Sequence, residues 1–89
     1  MIFPEYGVME LLYSINTGKK FEIVNDQFMS IILNDGRLYA VNSDHLDILY
    51  DKEWIENPVP DSVTLTESGK YWLNRWLVAT KRHRPAKRD

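Results

Sequence analysis

The run NSDHLDILYD, residues 42–51, holds the densest group of chemically capable side chains in this 89-residue chain: Asp44, His45, Asp47 and Asp51. On a helix, Asp44 and Asp47 share a face while His45 points elsewhere, which leaves at most two hard oxygen ligands and no defined metal geometry. The other histidine, His83, is far along the chain. Without cysteine there is no thiolate nucleophile, disulfide or Cys-based zinc site. Ser30, Ser43, Ser62 and Ser68 have no recognisable activating base, and Ser43 and Ser68 fit helix starts better. The carboxylates show no pairing that would separate their protonation behaviour, as acid–base catalysis requires. Asn-Thr-Gly at 16–18 and Asp-Gly at 35–36 read as turns rather than phosphate cradles, which need several ordered amides and usually a lysine. The expectation is a protein that is not an enzyme and uses no metal or cofactor.

Charge is more informative. The net −2 is the sum of two unlike parts. Residues 1–80 carry six Lys or Arg and twelve Asp or Glu, a net −6, whereas KRHRPAKRD at 81–89 carries five cations and one carboxylate, a net +4. Lys81, Arg82, Arg84, Lys87 and Arg88 suit contact with phosphates, which needs little fixed shape. Lys19, Lys20 and Arg37 are candidate supporting phosphate contacts. The plain alternative for these groups is a solvated terminus and ordinary surface charge. A folded region at 3–80 followed by a basic flexible tail at 81–89 is expected.

The elements that must position these groups follow from spacing. Val8, Leu11, Leu12 and Ile15 recur on one helical face, with Pro4 in the first turn and Asn16-Thr17-Gly18 as a stop. FEIV at 21–24, FMSIIL at 28–33 and RLYAV at 37–41 are rich in β-branched and aromatic residues and separated by turn formers. A two-residue Asp35-Gly36 turn would put Asn34 opposite Arg37, with Met29, Ile31, Leu33, Leu38 and Ala40 on one core face. Asn42 or Ser43 caps a second helix with Leu46, Leu49, Tyr50 and Ile48 inward and Asp44, Asp47 and Asp51 along another stripe. Trp54-Ile55 and Val63-Thr64-Leu65 flank a proline-stiffened loop. Thr66 then caps a last helix, in which Gly69 permits close backbone approach and Trp72, Leu73, Trp76 and Leu77 form the buried face.

HLDILYDKEWIENPVPDSVTLTESGKYWL, residues 45–73, resembles the passage in MarR-like regulators from a reading helix through two wing strands to an LT-x-x-G turn and a last helix. The chain is also similar to small bacteriophage accessory proteins with reduced winged-helix domains. The resemblance implies binding of duplex DNA, with residues 43–52 as reader and 56–62 as wing, often in a symmetric dimer. Two features depart from that pattern. The reader carries Asp44, Asp47 and Asp51, and the wing carries Glu56 and Asp61 with no Lys or Arg, so only His45 and Lys52 nearby favour a duplex. Residues 21–41 read as strands where a helix-turn-helix has another helix.

The sequence therefore predicts an α+β, compact winged-helix-like domain with an N-terminal helix, β-hairpin, central helix, short wing and C-terminal helix. The leading functional expectation is a small regulatory DNA-binding protein acting mainly through its basic tail. The alternative is a protein-interaction module using Asp44, Asp47 and Asp51 with Tyr50 and Trp54, in which the acidic face engages a basic surface or mimics the charge of DNA. A homodimer fits a domain this small. The opening residues, MIFPEYGVMELLYSI, contain two glutamates, lack a basic leader and form no membrane-length apolar run, from which a cytoplasmic setting without membrane attachment is expected.

Overall fold

The computed structural model describes residues 3–25, 27–59 and 62–80. In chain order the elements are α1 (Tyr6–Thr17), β1 (Lys20–Val24), β2 (Gln27–Ile32), β3 (Leu38–Ala40), α2 (Ser43–Asp51), β4 (Ile55–Glu56), β5 (Thr64–Leu65) and α3 (Glu67–Thr80). Strands β1, β2 and β3 form an antiparallel meander, and β4 and β5 form a separate ribbon. This is the α+β, winged-helix-like order expected from the sequence, with the meander standing where a helix-turn-helix would place a helix.

α1 is the centre of the core. Val8, Met9, Leu11 and Leu12 are fully inaccessible and Ile15 nearly so, because residues at i, i+3, i+4 and i+7 project from one side of a helix. They meet Leu49 from α2, Val63 and Leu65 from the ribbon, Leu73 and Trp76 from α3, and Phe28 and Ile31 from the sheet. Gly18 ends α1 in an extended conformation and turns the chain into β1.

The hairpin register differs from the sequence expectation by one residue. Ile32 pairs with Leu38 and Ile31 with Tyr39, so Leu33 lies opposite Arg37 and the loop has three residues rather than two. The Gly36 N–H donates to the Leu33 carbonyl, and Gly36 has φ of +88°, a conformation that suits glycine. A one-residue change of register exchanges the faces of a strand. Leu38 and Ala40 are therefore exposed, and Tyr39 turns inward instead. Met29 is also half exposed, because the pairing passes from Glu22↔Ser30 to Ile23↔Phe28 and leaves it as the extra residue of a bulge.

The start of α3 is fitted against the end of α2. Thr66 Oγ1 accepts the Gly69 N–H at 3.1 Å and donates to the Glu53 carbonyl at 2.7 Å, while the Thr66 N–H donates to the Trp54 carbonyl at 2.9 Å. A side chain at Gly69 would place its Cβ 2.0 Å from that same Trp54 oxygen. The helix therefore reaches this position only with glycine there. Trp54 and Trp72 then stack with centroids 5.9 Å apart and an interplanar angle of 22°.

Candidate interaction surface

α2 begins where the Asn42 side chain accepts the Asp44 N–H at 2.8 Å, satisfying a donor that the helix itself leaves open. Leu49 anchors the inward side, and Asp44, Asp47 and Asp51 are all exposed on the outward one. Among the described residues Arg37 lies against Asp35, Lys70 against Glu67 and the His45 imidazole against Glu5, and none of these contacts involves the three aspartates. Like charges at i,i+3 and i,i+4 oppose a helix by roughly 0.2–0.5 kcal/mol per pair. Asp51 adds a negative charge at the negative end of the helix dipole, and no basic residue occupies the last turn. The outward face of α2 thus concentrates negative charge that no ion pair among the described residues offsets, with Asp44 alone favourably placed, in the first turn at the positive end of the dipole.

The wing is tied to this helix by one side chain. Tyr50 Oη donates to Asn57 Oδ1, and Asn57 Nδ2 donates to the Ser62 carbonyl at 2.8 Å, so the loop after β4 is clasped across its base. Burial raises the Tyr50 phenol above its ordinary value of 10.0. Tyr50, expected on the inward side, remains 37% exposed and gives apolar area beside the acidic stripe, while Val59 in the wing is 51% exposed. Trp54 does not contribute to that area. At 7% exposure it belongs to the core, between Trp72 and the seat of Gly69, with Lys52 Nζ over its ring at 5.3 Å.

The cations selected from sequence are placed elsewhere. Lys19, Lys20 and Arg37 come to one end of the meander, since Lys20 pairs with Ile32 and Arg37 precedes Leu38, the next partner of Ile32. Arg37 is already engaged: its Nε lies 2.6 Å from Asp35 Oδ2, and its N–H donates to Asp35 Oδ1 at 3.1 Å. The Arg37 backbone N–H, and then its side-chain hydrogen bond, hold the Asp35 carboxyl below its ordinary value. Lys81, Arg82, Arg84, Lys87 and Arg88 lie outside the described residues. His45 is turned toward α1, with Nε2 3.7 Å from Glu5 Oε1 and its ring in the space left by Gly7.

Sequence reasoning missed two positions here. Asn57 was legible only as part of a turn-forming Asn-Pro pair, and nothing local identifies its partner seven residues earlier. Gly7 sits inside a helical pattern with no local reason for glycine, and the reason is the imidazole from α2. Among the described residues no three His, Asp or Glu side chains gather as a metal site, and no helix is long and apolar enough to cross a membrane. No protein-family model matches the chain, and no curated protein or solved structure shows significant similarity to it.

Proposed function

We propose that this domain is a non-enzymatic regulatory module that docks a basic surface of a protein partner on the outward face of α2 and the adjoining wing. The observation that carries this reading is the exposure of Asp44, Asp47 and Asp51 on one helix without an offsetting ion pair among the described residues. A cationic partner relieves their mutual repulsion, Tyr50 supplies apolar area at the side of the charged stripe, and Val59 supplies more in the wing. Charge of this sign steers association with a basic protein and repels a duplex from the helix that the winged-helix resemblance would place in a major groove.

The experiment is affinity capture with the full chain and with the D44N/D47N/D51N variant. Asparagine keeps the side-chain size and removes the charge. Partners captured by the native chain and lost with the variant support the reading; an identical set with both baits overturns it. A second reading, DNA binding through Lys81, Arg82, Arg84, Lys87 and Arg88, is favoured by the net +4 of residues 81–89. It predicts salt-sensitive duplex binding that disappears when 81–89 are removed and is undiminished in the triple variant.

A further inference from the structure

The two outer strands of the meander are finished differently. β1 reads KFEIV and carries Lys20 and Glu22, charges of the kind that discourage another strand from adding to an edge. β3 reads LYA, and Val41 and Asn42 follow it without a charge. The Arg37 carbonyl accepts from Leu33 N–H and the Val41 N–H donates to the Met29 carbonyl, so residues 37, 39 and 41 bond toward β2. By the alternation of an antiparallel ladder, the N–H and C=O of Leu38 and Ala40 point away from the sheet. β3 ends the strand order β1-β2-β3, so among the described residues no further strand pairs with this edge, and Leu38 on it is 66% exposed.

We infer that the β3 edge pairs with the β3 edge of a second copy of this chain, antiparallel about a two-fold axis at Tyr39. The register is self-complementary. Leu38 of each copy faces Ala40 of the other and exchanges two hydrogen bonds with it, which satisfies all eight outward backbone groups with four bonds. Tyr39 faces its own counterpart in the closer, non-hydrogen-bonded position, an arrangement that favours an aromatic cross-strand pair. The two meanders become one six-stranded sheet, in which Leu38 covers the small Ala40 of its neighbour beside Ile32.

Charge agrees with this arrangement. No like charges meet across the axis, and the register carries Arg37 of one copy toward the Val41–Asp44 corner of the other, where Asp44 is exposed. The partner is a second copy because one three-residue strand supplies both halves of a closed, symmetric pairing. An edge this short gives a concentration-dependent dimer rather than an obligate one. The inference does not rest on the acidic-face reading, since the backbone groups of Leu38 and Ala40 carry the pairing and Asp44 lies only at its corner.

The test is sedimentation equilibrium of the full chain over a concentration series reaching the millimolar range, with A40P and L38K beside it. Proline at position 40 removes an outward N–H and leaves the β2–β3 ladder intact; lysine at the exposed position 38 adds like charges on both sides of the axis. The expected result is a monomer–dimer equilibrium that is lost in both variants, with Leu38 and Ala40 amides of the native chain gaining exchange protection as concentration rises. A native chain that stays monomeric throughout overturns the inference. So does a dimer that persists in folded L38K and shows no protection at those two amides, which would move the interface elsewhere, for example to the exposed Tyr71 and Val78 on α3.

Discussion

Gly69→Ala isolates the contact that seats α3 on the end of α2. The added Cβ would stand 2.0 Å from the Trp54 oxygen and 2.9 Å from its carbonyl carbon, where real Cβ atoms essentially never come within 3.0 Å. Backbone must therefore move by about 1 Å, and the atom that moves also accepts the Thr66 N–H. Overpacking of this kind costs about 1–3 kcal/mol, and a weakened hydrogen bond adds about 1 kcal/mol. Against this, alanine gains about 1 kcal/mol over glycine within a helix. The net is a loss of about 1–3 kcal/mol, which in a domain of this size lowers Tm by roughly 4–24 °C. Thermal and urea unfolding followed by circular dichroism measure it. Gly7→Ala is the internal control, because its Cβ meets the tip of His45, 2.4 Å from Cε1, and a side chain moves more cheaply than backbone. A Gly69→Ala protein as stable as the native chain, or more so, refutes the reasoning, since helix propensity alone would then decide the outcome.

Three further outcomes follow from the same geometry. Thr66→Ala removes the hydroxyl that caps α3 and bonds to the Glu53 carbonyl, so urea unfolding is expected to show a loss of about 1–2 kcal/mol that Thr66→Ser largely restores. Asn57→Ala releases both the Tyr50 hydroxyl and the Ser62 carbonyl; amide exchange across 57–59 and 62–63 should quicken while global stability falls by less than about 1.5 kcal/mol. The Asp35 carboxyl should titrate by NMR below the ordinary 3.8, and Arg37→Ala should bring it only part of the way back, because the first cause of the shift is the Arg37 backbone N–H. The sign is that of a depressed acid: the stabilising interaction is fully present above the unfolded value and is lost as pH falls through the folded one.

Local periodicity carried most of the fold. The stripe Val8–Leu11–Leu12–Ile15, the Asn42 cap, and Thr66 followed by Gly69 all announced their structural roles, because each is an arrangement within one or two turns of chain. The meander was legible as three strands but not in register. Asp-Gly serves both two- and three-residue loops, and the bulge at Met29 depends on pairing with β1 rather than on its own neighbours. The same limit applies to the surface. Asp44, Asp47 and Asp51 were readable as a stripe from spacing alone, whereas Trp54 was placed with them by proximity in sequence. Its burial is decided by Trp72 and Gly69, more than a dozen residues further on.

The most direct measurement of the central claim is equilibrium binding of a captured protein partner to the native chain and to D44N/D47N/D51N over a salt series, with a labelled DNA duplex in parallel. Three charge contacts of about 0.5 kcal/mol each amount to roughly a ten-fold change in affinity. Partner binding is expected to weaken with salt and to fall by about that factor in the folded variant. Equal affinity for the native and variant chains, or duplex binding by the 1–80 body itself, would contradict the claim.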